Sequence, residues 1–252
     1  MKKNRTPMAS WNDVPLALSL LTRFPFRNPD MSRGAHASWA YPLAGLPPAL
    51  LASAVAMVAN WMGLPSMLVA LLALTALIFS TGAMHEDGLA DMFDGFWGAQ
   101  TADKRLEIMK DSHIGAYGAI AIAVSLFARW AGLWLVFDFS LFNGCAAMMC
   151  AAMLSRASMP LLMSYLPNAR NSGLSHNVGR APAKTACLGA AIALALSFPL
   201  AGWAVMSAVF WAALATMAIG AIAQRKIGGQ TGDVLGSAQQ LSEIAVLLSL
   251  SP

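Results

Sequence analysis

Apolar runs of about twenty residues recur along this chain, and polar gaps separate them. A membrane-spanning helix needs about 20 apolar residues, and runs of that length are not typical of soluble domains. Hydrophobic residues make up 58% of the 252 residues and charged residues only 11%, which excludes an ordinary soluble fold. We therefore expect an all-α protein, a polytopic membrane helix bundle of about six to seven transmembrane helices with short connections.

The predicted spans form one catalytic domain over residues 1–252. They are 42–60, 65–83, 117–137, 141–163, 185–202 and 204–223. A seventh run, 237–250, is short for a full span and is compatible with a tilted, re-entrant or bundle-packed helix. Residues 1–36 are expected to form a cytoplasmic or interfacial segment. The sequence leaves open whether the apolar stretch 8–22 within that segment spans the membrane, lies flat or re-enters.

The distribution of charge predicts which side of the membrane carries the active site. Threading the chain through the spans places the N-terminal segment and the loops 84–116, 164–184 and 224–236 on one side. Of the sixteen Lys and Arg residues, only Arg129 falls outside that side or the adjoining helix ends. The excess of basic residues makes that side cytoplasmic, and nearly all acidic and histidine residues lie there too. The active site is therefore expected to face the cytoplasm.

Two common functions are disfavoured by the same pattern. The net charge of +4 arises from basic residues in the gaps between spans, where membrane topology uses them, so nucleic-acid binding is not expected. The three cysteines all lie inside apolar runs without CxxC spacing, which argues against a zinc site or a disulfide framework.

An acidic segment, HEDGLADMFDG, directly follows the second predicted span. Asp87, Asp91 and Asp94 share one face if the segment is helical, because successive residues are about 100° apart. Carboxylates so close repel one another unless a cation lies among them, and oxygen ligands suit a hard ion such as Mg²⁺. A Mg²⁺ ion in turn implies a phosphate-containing substrate. The alternative is a solvated acidic helix end, against which stands the cost of charge at a membrane boundary.

The next polar segment, RLEIMKDSHIGAYG, carries Arg105, Lys110, Asp111 and His113. Arginine and lysine are natural partners for phosphate oxygens. The same residues would also suit an amphipathic surface helix that anchors the chain at the cytoplasmic interface. Its proximity to the acidic segment favours a functional interpretation.

A glycine-rich segment, RKIGGQTGDVLG, precedes the last apolar run. Its candidate residues are Gly228, Gly229, Thr231, Gly232 and Asp233. Glycines allow backbone N–H groups to curl around an anion, and Asp233 adds a carboxylate for a metal or a hydroxyl group. The segment matches neither a Walker A loop nor the dinucleotide fingerprint. A hinge before a short last helix is an equal alternative.

Several charged residues lie in or beside the spans. Arg156 is a functional candidate because intramembrane arginines are costly, and Arg170 follows in the loop LPNARNSGLSH; Arg23 is a weaker candidate of the same kind. Arg129 is expected to anchor the opposite interface or to pair inside the bundle, without a chemical role. Glu243 needs a partner, either structural or catalytic. Carboxylates, a divalent ion and several basic residues together indicate a phosphoryl-type transfer.

These segments resemble a known family. HEDGLADMFDG, RLEIMKDSHIGAYGA and GGQTGDVLG occur in the order found in cobalamin-5'-phosphate synthases, also called adenosylcobinamide-GDP ribazoletransferases. LLTRFPF, YPLAG and ARNSGL fit the same family, so the resemblance covers nearly the whole chain. Glu86 departs from the pattern, since an apolar residue is expected there, and the loop from Asn171 to His176 is divergent.

The resemblance implies a late step of vitamin B12 assembly at the bacterial inner membrane, with a cytoplasmic N-terminus. The family transfers adenosylcobinamide phosphate from adenosylcobinamide-GDP to α-ribazole 5'-phosphate or α-ribazole and releases GMP, with Mg²⁺ required. The implied partners are these substrates and the lipid bilayer, and a homo-oligomer is compatible with the sequence.

The resemblance also suggests residue roles. Asp87, Asp91 and Asp94 would hold Mg²⁺ on the pyrophosphate, with Asp233 as a further ligand. The candidates for phosphate binding are Arg23, Arg105, Lys110, Arg156, Arg170 and the segment from Gly228 to Gly232. The base that accepts the ribose proton is not singled out; its candidates are His85, Asp111 and His113.

Two other classes remain as alternatives. Asp91-x-x-Asp94-Gly95 matches the opening of the CDP-alcohol phosphotransferase signature, but the continuation does not match. A small membrane transporter would show the same topology, with Arg129, Arg156 and Glu243 along a path. A transporter would be expected to carry polar groups near the midplane with openings to both sides, whereas the polar residues here lie almost all on one side.

Overall fold

The structure of the protein is a computed structural model that describes residues 7–26 and 31–252. Within those ranges every regular element is a helix, and one isolated β-bridge joins Asn168 to Gln230. In chain order the elements are α1 (Asp13–Leu21), a 3₁₀ helix (Met31–Ala40), α2 (Tyr41–Ala44), α3 (Leu46–Trp61), α4 (Ser66–Thr81), α5 (Met84–Gly98), α6 (Ala102–Ile108), α7 (Ala116–Phe139), α8 (Leu141–Tyr165), α9 (Leu174–Val178), α10 (Ala183–Ala201), α11 (Ala204–Ile227) and α12 (Gly232–Ser249).

Five continuous helical segments are long and apolar enough to cross a membrane. They are Met31–Trp61, α7, α8, α10 and α11. A sixth span is formed if α4 and α5, which are bent by 84° at a short break, are taken as one. The expected all-α multi-pass membrane bundle is confirmed, and each of the six predicted spans overlaps one of these helices.

The N-terminal helix α1 is only nine residues long, too short to cross a bilayer. Asp13 at its start is fully buried and pairs with Arg33, while Trp39 Nε1 donates a 2.6 Å hydrogen bond to the same carboxylate. These contacts hold α1 against the 3₁₀ helix, so the stretch 8–22 does not span the membrane. Parts of the predicted 1–36 segment, residues 1–6 and 27–30, lie outside the described residues.

The last helix, α12, packs inside the bundle against α5, α7, α8 and α11. The seventh run, 237–250, is therefore part of a bundle-packed helix, one of the three arrangements expected from the sequence. Its buried residues include an unusual number of polar side chains. They are Ser237, Gln239, Gln240, Ser242 and Glu243. Such side chains need partners within the protein, because unpaired polar groups are costly away from water.

The break between α4 and α5 determines where the acidic segment lies. Gly82 ends α4 in the left-handed region with φ +65°, and Ala83 follows at φ +56°. A side chain at position 82 would also overlap Arg23, whose exposed side chain crosses this glycine. The chain therefore turns sharply here, and the axis of α5 departs from that of α4 by 84°.

Candidate active site

A cavity of about 200 Å³ lies where α5, α8 and α12 meet the loop that precedes α9. Leu20 and Leu21 of α1, with Met159 and Met163 of α8, supply apolar walls. The polar lining comes from Tyr41, His85, Asp87, Asn168, Arg170, Ser172, Ser175, His176, Gln230, Thr231 and Asp233. The cavity thus joins the acidic segment, the LPNARNSGLSH loop and the glycine-rich segment, which are far apart in the sequence.

Close helix packing brings the acidic residues of α5 and α12 together. A Cβ atom at Gly88 would lie 3.1 Å from the Cα atom of Asp233, and one at Gly236 would lie 3.4 Å from the Cα atom of His85. A contact of 3.1 Å is tighter than ordinary van der Waals contact, so glycine at position 88 favours this close approach of α5 to α12. Asp87 and Asp233 consequently both line the cavity, and half-buried Asp91 lies within electrostatic range of each.

Asp233 and Arg170 form an ion pair in the cavity wall. Arg170 Nη2 lies 3.1 Å from Asp233 Oδ2, and the Thr231 hydroxyl donates to the same oxygen at 3.1 Å. Burial raises the pKa of the Asp233 carboxyl above its usual value, although Arg170 and Thr231 oppose this shift. Arg170 Nη1 is buried without a hydrogen-bond partner among the described residues, so one donor remains for an anion.

The glycine-rich segment pairs with the loop after α8. Gln230 N donates to Pro167 O at 2.8 Å, and Ala169 N donates to Gln230 O at 2.9 Å. Gly229 is confined to glycine because a side chain there would overlap Pro167 O. The Ser175 hydroxyl donates to Gln230 Oε1 at 2.7 Å, which ties the start of α9 to this junction.

Part of the glycine-rich segment that was predicted to bind phosphate lines the cavity, and part of it does not. Gly232 and Thr231 line the cavity. Gly228, with φ +75°, ends α11, and Gly229 serves the loop pairing. Thr231 also caps α12, since its hydroxyl accepts a 3.4 Å bond from Val234 N.

Asp94 makes different contacts from Asp87 and Asp91, the other two aspartates of α5. Its side chain is buried, and its two oxygens accept hydrogen bonds from Gly115 N at 2.7 Å and Gly118 N at 2.8 Å. A side chain on either glycine would overlap the Asp94 carboxylate. Asp94 therefore satisfies unpaired N–H groups at the start of α7, where negative charge is stabilised by the helix dipole.

The basic segment after α5 does not reach the cavity. Arg105 donates to backbone carbonyls, from Nε to Ala99 O at 3.0 Å and from Nη1 to Lys226 O at 2.8 Å. Lys110 is exposed and does not line the cavity. These contacts attach α6 to the end of α11.

The loop between α6 and α7 carries an exposed histidine–aspartate pair. His113 Nδ1 lies 2.6 Å from Asp111 Oδ1. The hydrogen bond from His113 holds the pKa of Asp111 below its usual value, and the same bond raises the pKa of His113. Neither residue lines the cavity.

Two predicted residues, His85 of α5 and Arg156 of α8, are buried and lie within electrostatic range of each other. Arg156 is 3% exposed; its Nη1 donates to Ala152 O at 3.0 Å, and its Nε has no partner within the described chain. His85 is 2% exposed, and its Nε2 likewise lacks a partner there. His85 lines the cavity, whereas Arg156 does not.

Several cavity residues were not among the predicted site residues. They are Tyr41, Asn168, Ser172, Ser175, His176 and Gln230. The density of polar residues in LPNARNSGLSH was the available signal for four of them. Gln230 adjoins the predicted glycines, and Tyr41 begins the YPLAG motif, so position along the chain could have indicated both.

Residues 7–26 and 31–252 do not contain a complete set of metal-binding side chains. Those ranges contain no group of three or more His, Cys, Asp or Glu side chains arranged to hold a metal ion. The carboxylates of Asp87, Asp91 and Asp233 come near one another without forming such a group.

Comparison with known proteins gives a consistent result. Residues 13–251 match the family model described as cobalamin-5-phosphate synthase. A protein of Azorhizobium caulinodans is 41% identical over 252 residues, covering 94% of each chain. One from Mesorhizobium japonicum is 40% identical over 248 residues, covering 98% of this chain and 95% of its own. Both relatives are named adenosylcobinamide-GDP ribazoletransferase. No solved structure matches the chain.

Proposed function

The chain belongs to the cobalamin-5-phosphate synthase family, and from this membership we propose that it acts as an adenosylcobinamide-GDP ribazoletransferase. The enzyme is a membrane-embedded transferase. In the proposed reaction a ribose hydroxyl of α-ribazole 5'-phosphate, or of α-ribazole, attacks the corrinoid-side phosphorus of adenosylcobinamide-GDP. A new phosphoester bond forms, the pyrophosphate bond breaks, and GMP leaves.

One observation carries this proposal: a single cavity collects residues from three separate motif segments. The acidic segment contributes His85 and Asp87, the loop after α8 contributes Arg170, and the glycine-rich segment contributes Thr231 and Asp233. A pyrophosphate transfer needs a cation-binding wall, a positive donor for phosphate oxygens and a polar group near the attacking hydroxyl. The three segments together supply these groups: Asp87 and Asp233 for the cation, Arg170 for the phosphate, and His85 near the hydroxyl.

The size of the cavity limits which part of the substrate enters it. Its volume of about 200 Å³ is below the roughly 300–1,000 Å³ of sites that enclose drug-sized ligands. A corrinoid nucleotide is much larger than a drug. We therefore place the pyrophosphate and the attacking ribose inside the cavity, and the corrin ring and the guanine base outside it.

Arg170 is the proposed phosphate-binding residue. Its Nη2 is held by Asp233, which fixes the guanidinium plane, and its buried Nη1 retains an unused N–H. A guanidinium with one edge anchored presents the rest of its donors in a fixed direction. The start of α12 beside Thr231 adds helix N–H groups, which favour negative charge.

The donor set of the cavity fits Mg²⁺. In phosphate-transfer sites this ion is usually bound by one or two carboxylates together with substrate phosphates, so a prearranged cluster of three side chains is not required. Asp87, Asp91 and Asp233 would hold it, and we leave Asp94 out because its two oxygens already accept hydrogen bonds. When bound, Mg²⁺ neutralises charge that develops on the pyrophosphate oxygens.

His85 is the proposed base for the ribose proton. Of the three candidates, Asp111 and His113 lie on the exposed loop, whereas His85 lines the cavity. Its Nε2 has no partner in the described part of the chain, so a neutral imidazole could accept the proton at this atom. The apolar surroundings of Leu21, Met159 and Met163 limit competing water.

We further propose that the protein resides in the bacterial cytoplasmic membrane with a cytoplasmic N-terminus. The basis is the positive-inside distribution of Lys and Arg in the sequence. A protease-accessibility assay on right-side-out and inverted vesicles tests the orientation. Cleavage of the 164–184 loop is expected in inverted vesicles, and cleavage only in right-side-out vesicles would contradict the proposal.

The decisive experiment is a GMP-release assay on the detergent-solubilised protein with adenosylcobinamide-GDP and α-ribazole 5'-phosphate. Mg²⁺-dependent formation of GMP and a corrinoid phosphoester is expected from the native sequence, with strong loss in Arg170→Lys. Asp138→Asn is the matched control, since Asp138 pairs with Ser66 at another helix junction. A folded protein that releases no GMP with either acceptor would refute the proposed function.

A further inference from the structure

A buried charge cluster adjoins the cavity through Glu86, which lies between the lining residues His85 and Asp87, and it is not used in the proposed reaction. Arg129 of α7 is 2% exposed and contacts Glu86 of α5 and Glu243 of α12. Its Nη1 lies 2.6 Å from Glu86 Oε1, and its Nη2 lies 2.8 Å from Glu243 Oε1. One guanidinium therefore joins the two helices that carry the acidic residues of the cavity.

Glutamines complete the hydrogen bonding of this cluster. Gln240 Oε1 accepts from Arg129 Nη1 at 3.1 Å and from the Ser125 hydroxyl at 3.0 Å, and Gln240 Nε2 donates to Glu86 Oε1 at 3.3 Å. Gln239 of α12 donates to Glu243 and to the Ser155 hydroxyl of α8. Four helices are thus connected through groups that are almost entirely buried.

Charge balance explains why the cluster tolerates two carboxylates. Arg156 lies within electrostatic range of Glu86 and Glu243 without contacting either of them directly. Two arginines therefore face two glutamates, and the buried assembly is neutral overall. Neutrality matters because an unpaired buried charge is strongly destabilising.

The position of Glu86 gives this cluster a consequence for the cavity. Glu86 and Asp87 are adjacent on α5, so their side chains point about 100° apart. Glu86 is buried at 6% exposure against Arg129, which directs Asp87 outward to the cavity. On α12, Glu243 is held by the same arginine in the interior of the helix, while Asp233 lies in the first turn and in the cavity wall.

We propose that Arg129 is a positioning residue that sets the spacing and rotation of Asp87 on α5 relative to Asp233 on α12, and thereby the affinity of the cavity for a divalent cation. Lysine would keep the charge but offers a single point of contact, so it would not hold both helices in a fixed orientation. The inference rests on the proposed function, which supplies both the cation site and GMP as its ligand; Mn²⁺ binding is measured apart from turnover, so the two can fail separately.

The test compares Arg129→Lys and Glu243→Gln with native protein by electron paramagnetic resonance titration of Mn²⁺ in the presence of GMP. We expect about tenfold weaker Mn²⁺ binding in Arg129→Lys and a smaller loss in Glu243→Gln, in the range seen when groups that orient metal ligands are changed. In the GMP-release assay, the Mg²⁺ concentration for half-maximal rate should rise by a similar factor. The rate at saturating Mg²⁺ should change less.

Leu133→Ala is the control for general destabilisation. Leu133 is fully buried one helical turn further along α7, where it belongs to the hydrophobic core and has no charge or hydrogen bond to lose from the cluster. This variant should melt at lower temperature and bind Mn²⁺ as the native protein does. Native Mn²⁺ affinity in both Arg129→Lys and Glu243→Gln, or equal weakening in Leu133→Ala, would overturn the inference. Native protein that binds Mn²⁺ with GMP but releases no GMP from the substrates would refute only the proposed function.

Discussion

The two halves of α5 contain the same dipeptide, Asp-Gly, yet they contact different parts of the molecule. In the first half, Asp87 lines the cavity and Gly88 packs against the backbone of α12 at Asp233. In the second half, Asp94 is buried against the start of α7 and Gly95 packs against the end of α6. Identical residue types thus line the cavity, where we propose a binding role, in one half and pack against neighbouring helices in the other.

The difference shows what a spacing pattern can and cannot decide. Periodicity predicts that Asp87, Asp91 and Asp94 share a helix face, and the helix Met84–Gly98 has the required length. A helix face as long as α5 meets several neighbours, and each neighbour determines the role of the side chains it touches. Asp94 meets free N–H groups of a helix, whereas Asp87 meets a cavity.

The largest effect is expected from Asp87→Asn. We expect GMP release to fall by on the order of 10²-fold or more, because a carboxylate that would hold the cation is lost while the side-chain size is kept. Thermal unfolding in detergent should stay close to that of the native protein, since Asp87 is exposed in the cavity. Near-native activity in this variant would contradict the proposed role of Asp87 and, with it, the proposed difference between the two halves of α5.

Asp94→Asn should show the opposite pattern. Two backbone N–H groups lose a charged acceptor, so the free energy of unfolding should fall by about 1–3 kcal/mol. GMP release per folded molecule should change only a few-fold. If the variant melts like the native protein but loses Mg²⁺-dependent GMP release, Asp94 belongs with the cation-binding residues after all.

Gly88 and Gly95 allow a second test of the difference between the two halves of α5. A Cβ atom at Gly88 would lie 3.1 Å from Asp233 Cα, so Gly88→Ala should separate α5 from α12 and lower GMP release by about tenfold. Gly95→Ala would crowd Met109 and Arg105 O instead, and about 1–3 kcal/mol of stability should be lost with near-native activity. Parallel assays of activity and melting temperature on both variants test this. Equal effects of the two substitutions on activity would contradict it.

The smallest effect is expected on the exposed loop after α6. Asp111 raises the pKa of His113, so their ion pair is present at low pH and is lost as pH rises through the raised pKa. Both side chains are fully exposed, and exposed pairs contribute little. His113→Ala should therefore leave GMP release and its pH profile within about twofold of native values. A shifted pH profile would bring this loop into the reaction.

The spans and the acidic helix could be predicted because each depends on residues close in sequence. The twenty-residue length of a span and the periodicity of α5 are local properties. The glycines Gly115 and Gly118 were visible too, but their need to accommodate Asp94 depends on how α7 packs against α5. Patterns among neighbouring residues cannot predict a contact between residues so far apart in the chain.

The positions of charged residues inside the bundle were harder to predict. Arg129 was expected either at the opposite interface or in an internal pair, and the structure shows the internal pair with Glu86 and Glu243. Arg105 fitted phosphate binding by residue type, yet it bonds carbonyl groups of the loop after α5 and of α11. Arginine donors suit both roles, so only the fold distinguishes them.

The central location of α12 bears on how the protein is made. Among the described helices it is the last in chain order, yet it lies between α5, α8 and α11 and brings Asp233 to the cavity. Chains emerge from the ribosome N-terminus first, so the earlier helices enter the membrane before their central partner exists. An intermediate without α12 lacks Asp233 and one wall of the cavity, so the cavity is completed only after α12 has been made.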